Sequence, residues 1–361
     1  MLDKINSHGL TDWFNKKNAH FHDYQILSYK AVSEKKDILI NAPTGTGKTL
    51  ASLLAPIINF SEDIKSGSFT TIYISPLKSL IYDISRNLDD YLKAANLKIS
   101  IETRTGDTSA YNKQKQLKKP PNFLITTPES FALMMSYDNS NVYFSNIKYI
   151  IIDELHSIIH TKSGDLLTLN LARLTSFAPE AIKIALSATI KNTINTLNYF
   201  SNSKKKKCIN PKIIKKISIE ILNSVNLIPW SGHMATYAIK DIYIYIKTYN
   251  STIIFVNTRA QAEYVFQNLW KINKDNLNIA IHHGSLDRQL RLNIENKMFE
   301  GKLNCIVATS SLELGLDWSN VDLVMQIGAP KGISRIIQRI GRSNHDINKT
   351  SRAILIPTNK F

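Results

Sequence analysis

Asp37-Ile-Leu-Ile-Asn-Ala-Pro-Thr-Gly-Thr-Gly-Lys-Thr-Leu-Ala-Ser-Leu-Leu, residues 37–54, joins two kinds of secondary structure through a glycine-rich turn. The apolar run Ile38–Ile40 reads as a fully buried strand, and the stretch from Thr49 onward reads as a helix. Between them lie Ala42, Pro43, Thr44, Gly45, Thr46 and Gly47. Gly45 and Gly47 let the backbone turn so that its N–H groups face a phosphate chain. Lys48 is then placed to neutralise β- and γ-phosphates, and the Thr49 hydroxyl to ligate Mg²⁺. Ala42 stands where the general pattern has its first glycine, but the flanking strand and helix supply the context the pattern requires.

Outward from this turn, short β-rich runs alternate with helical patterns. Residues 37–42, 71–75, 123–127, 148–153 and 183–187 read as buried parallel strands, and a second series runs through 252–256, 278–282, 304–308, 322–327 and 352–356. Segments such as 259–270, where Ala262, Val265, Phe266 and Leu269 mark one face, read as the intervening helices. Such alternation predicts doubly wound α/β architecture with ligands at the carboxyl ends of the strands. The series break at SNSKKKKCINP, residues 201–211, which is taken as a solvated linker. The expected domains are therefore 1–204 and 205–361.

The chain has 361 residues and a net charge of +16, a surplus that points to a polyanionic partner. A compositional bias toward Lys, Asn and Ile is the competing explanation. Cys208 and Cys305 stand far apart with no metal-binding spacing, and no run reaches the length of a membrane span, which predicts a soluble, cytoplasmic protein without a membrane partner.

Asp153 and Glu154, in DELH, follow an apolar strand. A carboxylate there can hold Mg²⁺ opposite Thr49, and its neighbour can orient and deprotonate a water. Gln338, Arg339 and Arg342 fall on a predicted helix, where an arginine can meet the charge that develops on a γ-phosphate. The amide of Gln25 can read both edges of an adenine. Nucleic-acid contacts are expected from the strand-end residues Pro76, Lys78, Arg104, Thr105, Gly106, Thr126 and Thr127, and from Asn257, Arg259, His283, Gly284, Thr309 and Ser310 in the second half. Each of these alone is more often an N-cap or turn. His282 and His283 are not a metal pair, since adjacent strand residues point to opposite faces. Core packing is the expectation for Trp230 and Trp318.

These strings resemble superfamily 2 helicases, and within them the large helicase-related (Lhr) family: RTGDT at 104–108, TTPES at 126–130, HHGSL at 282–286 and ATSSLELGLDW at 308–318 carry the likeness. FHDYQ near the start, IPWSGH at 228–233 and IGAPKGISRIIQRIGRS at 327–343 are similar to the bacterial ligase-associated DEXH-box helicases. The resemblance implies two tandem RecA-like domains with ATP held in the cleft between them. It also implies 3′-to-5′ movement on single-stranded or partly duplex DNA, a role in DNA repair, and a ligase or nuclease as partner. It carries nucleotide roles to Gln25, Lys48, Thr49, Asp153, Glu154, Gly315, Asp317, Gln338 and Arg342, and a coupling role to Ser187 and Thr189, with which Arg339 is grouped. Leu155 replaces the subtype's tryptophan, Asn344 a glycine, and His345 an arginine seen in many relatives outside the family.

Relatives of this kind continue into a winged-helix domain and further modules. The sequence therefore reads as a motor core, expected to hydrolyse ATP with weak strand separation by itself. The competing readings are a non-catalytic nucleic-acid-binding remnant, one half of a split gene whose C-terminal half is made separately, and an enzyme acting on RNA or an RNA–DNA hybrid.

Overall fold

The computed structural model describes residues 21–360 except 44, 61–67, 95, 96, 189, 191, 212, 214, 215, 225, 233, 314–320, 331 and 345–348. The chain divides into two compact units, one running to Ile213 and the other from Ile214, residues 44–46 excepted. The first holds β1 (Asp37–Asn41), β2 (Thr71–Ile74), β3 (Ile101–Arg104), β4 (Phe123–Thr126), β5 (Tyr149–Ile152), β6 (Ile182–Ser187) and β7 (Lys206–Ile209), in the order β3-β4-β2-β5-β6-β1-β7. All these strands pair in parallel. The second unit holds β8 (Ile217–Ile221), β9 (Thr252–Phe255), β10 (Ile279–His282), β11 (Cys305–Ala308), β12 (Leu323–Ile327) and β13 (Ser351–Ile356), in the order β10-β11-β9-β12-β13-β8.

The helices include α1 (Asp23–Ser33), α2 (Lys48–Ile58) and α3 (Lys162–Phe177) in the first unit, and α4 (Arg259–Ile272) and α5 (Ile333–Ile340) in the second. Central strands are apolar along their whole length because both faces are covered. In the first unit Ile72, Ile74, Ile150 and Ile152 pack with Leu167, Leu171 and Leu174 of α3, while their neighbours Tyr73 and Ile151 are buried on the opposite face. In the second, Ile254, Val307 and Met325 pack with Ala262, Val265 and Leu269 of α4, as the helical pattern predicted.

The register positions the site. Asn41 pairs with Ser187, Ile152 with Ala185, and Ile74 with Ile152, so β2, β5, β6 and β1 end together and their following loops stand side by side.

Two expectations change. Lys206–Ile209 is no linker: it forms β7, and its backbone pairs with β1 while Lys204, Lys205 and Lys207 stay in solvent. The division therefore falls at 213/214 rather than at 204/205. The sequence reading also missed β3, β7 and β8. All three are edge strands with half-exposed, mixed side chains, so no continuous apolar run marks them.

A candidate nucleotide site

Gly45 and Gly47 both adopt left-handed backbone angles, with φ of 76° and 83°, and α2 begins directly afterwards at Lys48. Such a turn aims successive N–H groups at an anion in front of the helix N-terminus. Gly47 has a second constraint. A Cβ placed there would lie 2.6 Å from Nε2 of Gln25, which donates to the Gly47 carbonyl at 3.1 Å. Gln25 also accepts from the His22 N–H through Oε1, at 2.9 Å. Its amide thus braces the loop and the start of α1, leaving one N–H and one lone pair for an adenine.

Replacing Gly47 by Ala combines left-handed strain with this clash and is expected to weaken nucleotide affinity by about 1–3 kcal/mol, roughly 5- to 150-fold. Titration of a fluorescent ATP analogue checks this, and an unchanged affinity would show that the loop relaxes.

Asp153 and Glu154 follow β5, both buried. Asp153 accepts the Tyr73 hydroxyl at Oδ2, 2.8 Å, and the Glu154 N–H at Oδ1, 2.8 Å. Burial first, then the charge of Glu154, pushes the Asp153 carboxyl up to about 7, against the pull of Tyr73 and Lys48. Burial likewise drives the Tyr73 phenol far above its usual range, so it keeps its proton. Glu154 sits in the left-handed region at φ 48°, an uncommon conformation for a side chain of its size. Two crowded buried carboxyls beside a helix N-terminal hydroxyl, Thr49, suit a divalent cation: an added positive charge relieves the repulsion that raises Asp153.

From Glu154 a line of close polar contacts runs to the end of β6. His156 Nε2 lies 3.3 Å from Glu154 Oε2, and Nδ1 lies 3.0 Å from Ser187 Oγ and 3.4 Å from the Ala188 N–H. Nδ1 accepts from the Ala188 N–H, which leaves the ring proton on Nε2, on the side of Glu154. Burial holds the ring's pKa below the ordinary histidine value, against the pull of Glu154, so the ring is neutral.

In the second unit Gln338 and Arg339 lie on α5, but Arg342 lies beyond its end, in the turn after Gly341. Both arginines are buried rather than solvated on one helix face. Arg339 donates to the carboxylate of Glu313 and the amide oxygen of Gln326, and its guanidinium lies 5.0 Å from the centre of the Phe255 ring. Arg342 Nε donates to the Glu313 carbonyl at 3.1 Å. Asn344 takes the left-handed region at φ 45°, which asparagine tolerates better than most side chains, and donates to the Thr350 carbonyl. Leu155 fills the core of the first unit.

The strand-end residues divide. Lys78, Gly106, Asn257, Arg259, Gly284 and Ser310 are exposed at the carboxyl ends of their strands, while Pro76 and Thr309 are half-buried. Lys78 is paired with Asp107 at 2.7 Å, and Arg259 with Glu263 at 2.8 Å. Arg104 is a correction. As the last residue of β3 its side chain turns inward, donating to the Lys113 carbonyl and the Tyr137 hydroxyl, so it ties the helix Ala110–Lys118 to the turn at Tyr137 and offers nothing to a polymer. Thr105 and Thr126 are fully buried, Thr127 caps the following helix, and His283 is buried against Glu263. His282 instead meets Ser311 and Glu295, so the two histidines do point apart. Trp230 is 68% exposed, against the expectation of core packing. Thr44, Thr189, Gly315, Asp317, Trp318 and His345 lie outside the described residues.

Sequence reading passed over Tyr73, His156, Glu313 and Gln326. His156 was within reach, as the last letter of DELH. The other three are single polar residues within apolar or motif strings, and only their contacts single them out.

A glycine-rich turn before a helix and a buried acid pair stand on one parallel sheet, and two buried arginines on the other, so the chain is of the two-unit α/β class that carries sites at strand ends. Residues 22–197 match the DEAD/DEAH box helicase family and residues 236–345 the helicase conserved C-terminal domain. The chain carries these two helicase domains. The ATP-dependent helicase Lhr-Core of Methanocaldococcus jannaschii is 36% identical over 363 residues, covering 96% of this chain and 43% of that protein. Lhr-Core protein 2 of Thermococcus barophilus is 34% identical over 368 residues, with the same coverage of each chain. The structure of the Mycobacterium smegmatis helicase Lhr bound to single-stranded DNA and AMP-PNP superposes with a TM-score of 0.86 at 31% identity, covering 97% of this chain and 47% of that one. The chain thus spans under half the length of these relatives.

Proposed function

We propose that the chain hydrolyses ATP with Mg²⁺ and uses the reaction to move 3′ to 5′ along single-stranded DNA in the cytoplasm, in the service of DNA repair. The observation that carries this reading is the line from Glu154 through His156 to Ser187. It joins the acid beside the phosphate turn to a strand end outside it, as coupling of hydrolysis to movement requires. The single-stranded DNA held by the M. smegmatis relative supports the choice of track.

In this reading the loop N–H groups and Lys48 hold the phosphates, and Thr49 and Asp153 hold Mg²⁺. The ion, when bound, neutralises charge between the outer phosphates. Glu154 orients the attacking water and takes its proton. Arg342, with Gln338 beside it, supplies positive charge to the γ-phosphate. Exposed Lys78, Asn257, Arg259 and Ser310 follow the polymer backbone.

Steady-state ATP hydrolysis with and without single-stranded DNA or RNA tests this, beside Lys48→Ala. Stimulation by DNA that vanishes in the variant is expected. Stimulation by RNA alone moves the track to RNA, and equal rates in parent and variant without stimulation overturn the motor reading.

The buried Asp153 adds a pH dependence. Protons compete with Mg²⁺ for its carboxylate below about 7. The Mg²⁺ needed for half-maximal hydrolysis is therefore expected to rise as pH falls below that value, approaching about tenfold per unit. For stability the sign is opposite. A carboxyl raised in the folded state stabilises below its unfolded pKa, and that contribution is lost as pH rises through about 7. Mg²⁺ titrations of hydrolysis at pH 5.5 and pH 8 measure the first effect, and thermal unfolding of the metal-free chain at the same two pH values measures the second.

A further inference from the structure

Tyr73 is a fully buried tyrosine in the middle of a central strand, paired in register with Ile125 on one side and Ile151 on the other. Its neighbours Ile72 and Ile74 enter the core that packs against α3, so the pleat sends the Tyr73 ring to the other face of the sheet. There its hydroxyl donates to Oδ2 of Asp153 at 2.8 Å. The second Asp153 oxygen is fixed independently by the Glu154 N–H at 2.8 Å.

A buried phenol costs free energy unless its hydroxyl is satisfied, and phenylalanine would fill the same volume without that demand. Ordinary core packing therefore does not account for an oxygen at this point. The pairing with Asp153 does: both carboxylate oxygens are held, so the plane of the group is set before any ligand arrives. A carboxylate that must meet one small ion with near-ideal octahedral demands gains from such prior orientation.

We propose that Tyr73 is a positioning residue for the metal, holding the Asp153 carboxylate in the orientation in which it receives Mg²⁺ with the nucleotide. This rests on the Mg²⁺ reading above. Tyr73 does not touch the nucleotide and takes no part in proton transfer. Its hydroxyl acts on the ion only through the carboxylate it orients.

The test compares Tyr73→Phe with the parent in binding rather than turnover. A fluorescent ADP analogue is titrated with and without Mg²⁺, and Mn²⁺ binding to the ADP complex is followed by electron paramagnetic resonance. Tyr73→Phe is expected to weaken Mn²⁺ binding and the Mg²⁺-dependent part of ADP affinity by about tenfold or more. ADP affinity without metal, and the unfolding temperature, are expected to stay close to the parent's. In hydrolysis the half-saturating Mg²⁺ concentration rises while kcat at saturating Mg²⁺ is largely kept. Tyr91→Phe, which removes another buried tyrosine hydroxyl remote from these groups, serves as control and keeps the parent's metal dependence.

Parent-like metal dependence in Tyr73→Phe overturns the proposal. An equal loss of ADP affinity with and without metal also overturns it, since that marks a packing role. A parent whose ADP affinity ignores Mg²⁺ removes the Mg²⁺ reading itself, and this proposal with it. That failure is read from the parent alone, before any variant is compared.

Discussion

Glu154→Gln is expected to lower the rate of ATP hydrolysis by about 10²–10⁴-fold while leaving ATP affinity near the parent's. The carboxamide keeps the size of the side chain and can still meet His156, whose Nε2 lies 3.3 Å from the Glu154 carboxylate. What it loses is the ability to accept a proton from the attacking water. The backbone at this position sits at φ 48°, held in part by the N–H bond to Asp153. Glutamine can keep both. Single-turnover hydrolysis and analogue binding, measured side by side, separate the two effects. A variant that hydrolyses at the parent's rate would move the base elsewhere in the site, and one that fails to bind ATP would show that Glu154 acts before chemistry.

The second large effect concerns stability. Arg339 and Glu313 form a buried pair, with side chains 3% and 8% exposed. Arg339→Ala leaves the Glu313 carboxylate buried without its partner, and Gln326 without its donor. Breaking such a pair from one side costs about 3–5 kcal/mol, because a charge remains in a low-dielectric setting uncompensated. The transition of the second unit is expected to fall by about ten degrees or more. Arg339→Met combined with Glu313→Leu removes both charges and is expected to recover most of that loss. Scanning calorimetry of the three chains decides it. If the double variant is no more stable than Arg339→Ala, the loss comes from packing against Phe255 and not from the orphaned charge.

The same pair shows where sequence reading stopped. In the sequence Arg339 and Arg342 read as two residues of one helix. The helix ends at Ile340, and the two side chains converge on Glu313, one on its carboxylate and one on its backbone carbonyl. Nothing local marks Glu313 for this, since it lies 26 residues before Arg339 and meets it only when β11 and β12 are neighbours of β9. Arg104 failed in the opposite sense. An arginine after a strand reads as solvated until the pleat of β3 turns it inward.

By itself the sequence determined the two-unit α/β architecture, the ten strands that carry continuous apolar runs, the phosphate-binding turn from Ala42 to Thr49, and the acid pair Asp153–Glu154. These are local: burial on both faces demands unbroken apolar strands, and a phosphate turn demands glycines at fixed spacing. Tertiary structure alone decided the edge strands, the extent of the first sheet through Ile209, the inward turn of Arg104, and the contacts of Tyr73, His156 and Glu313. Each depends on which strands become neighbours, and in what register. A polar side chain carries no mark of the partner it will meet across the sheet until the fold has set that register.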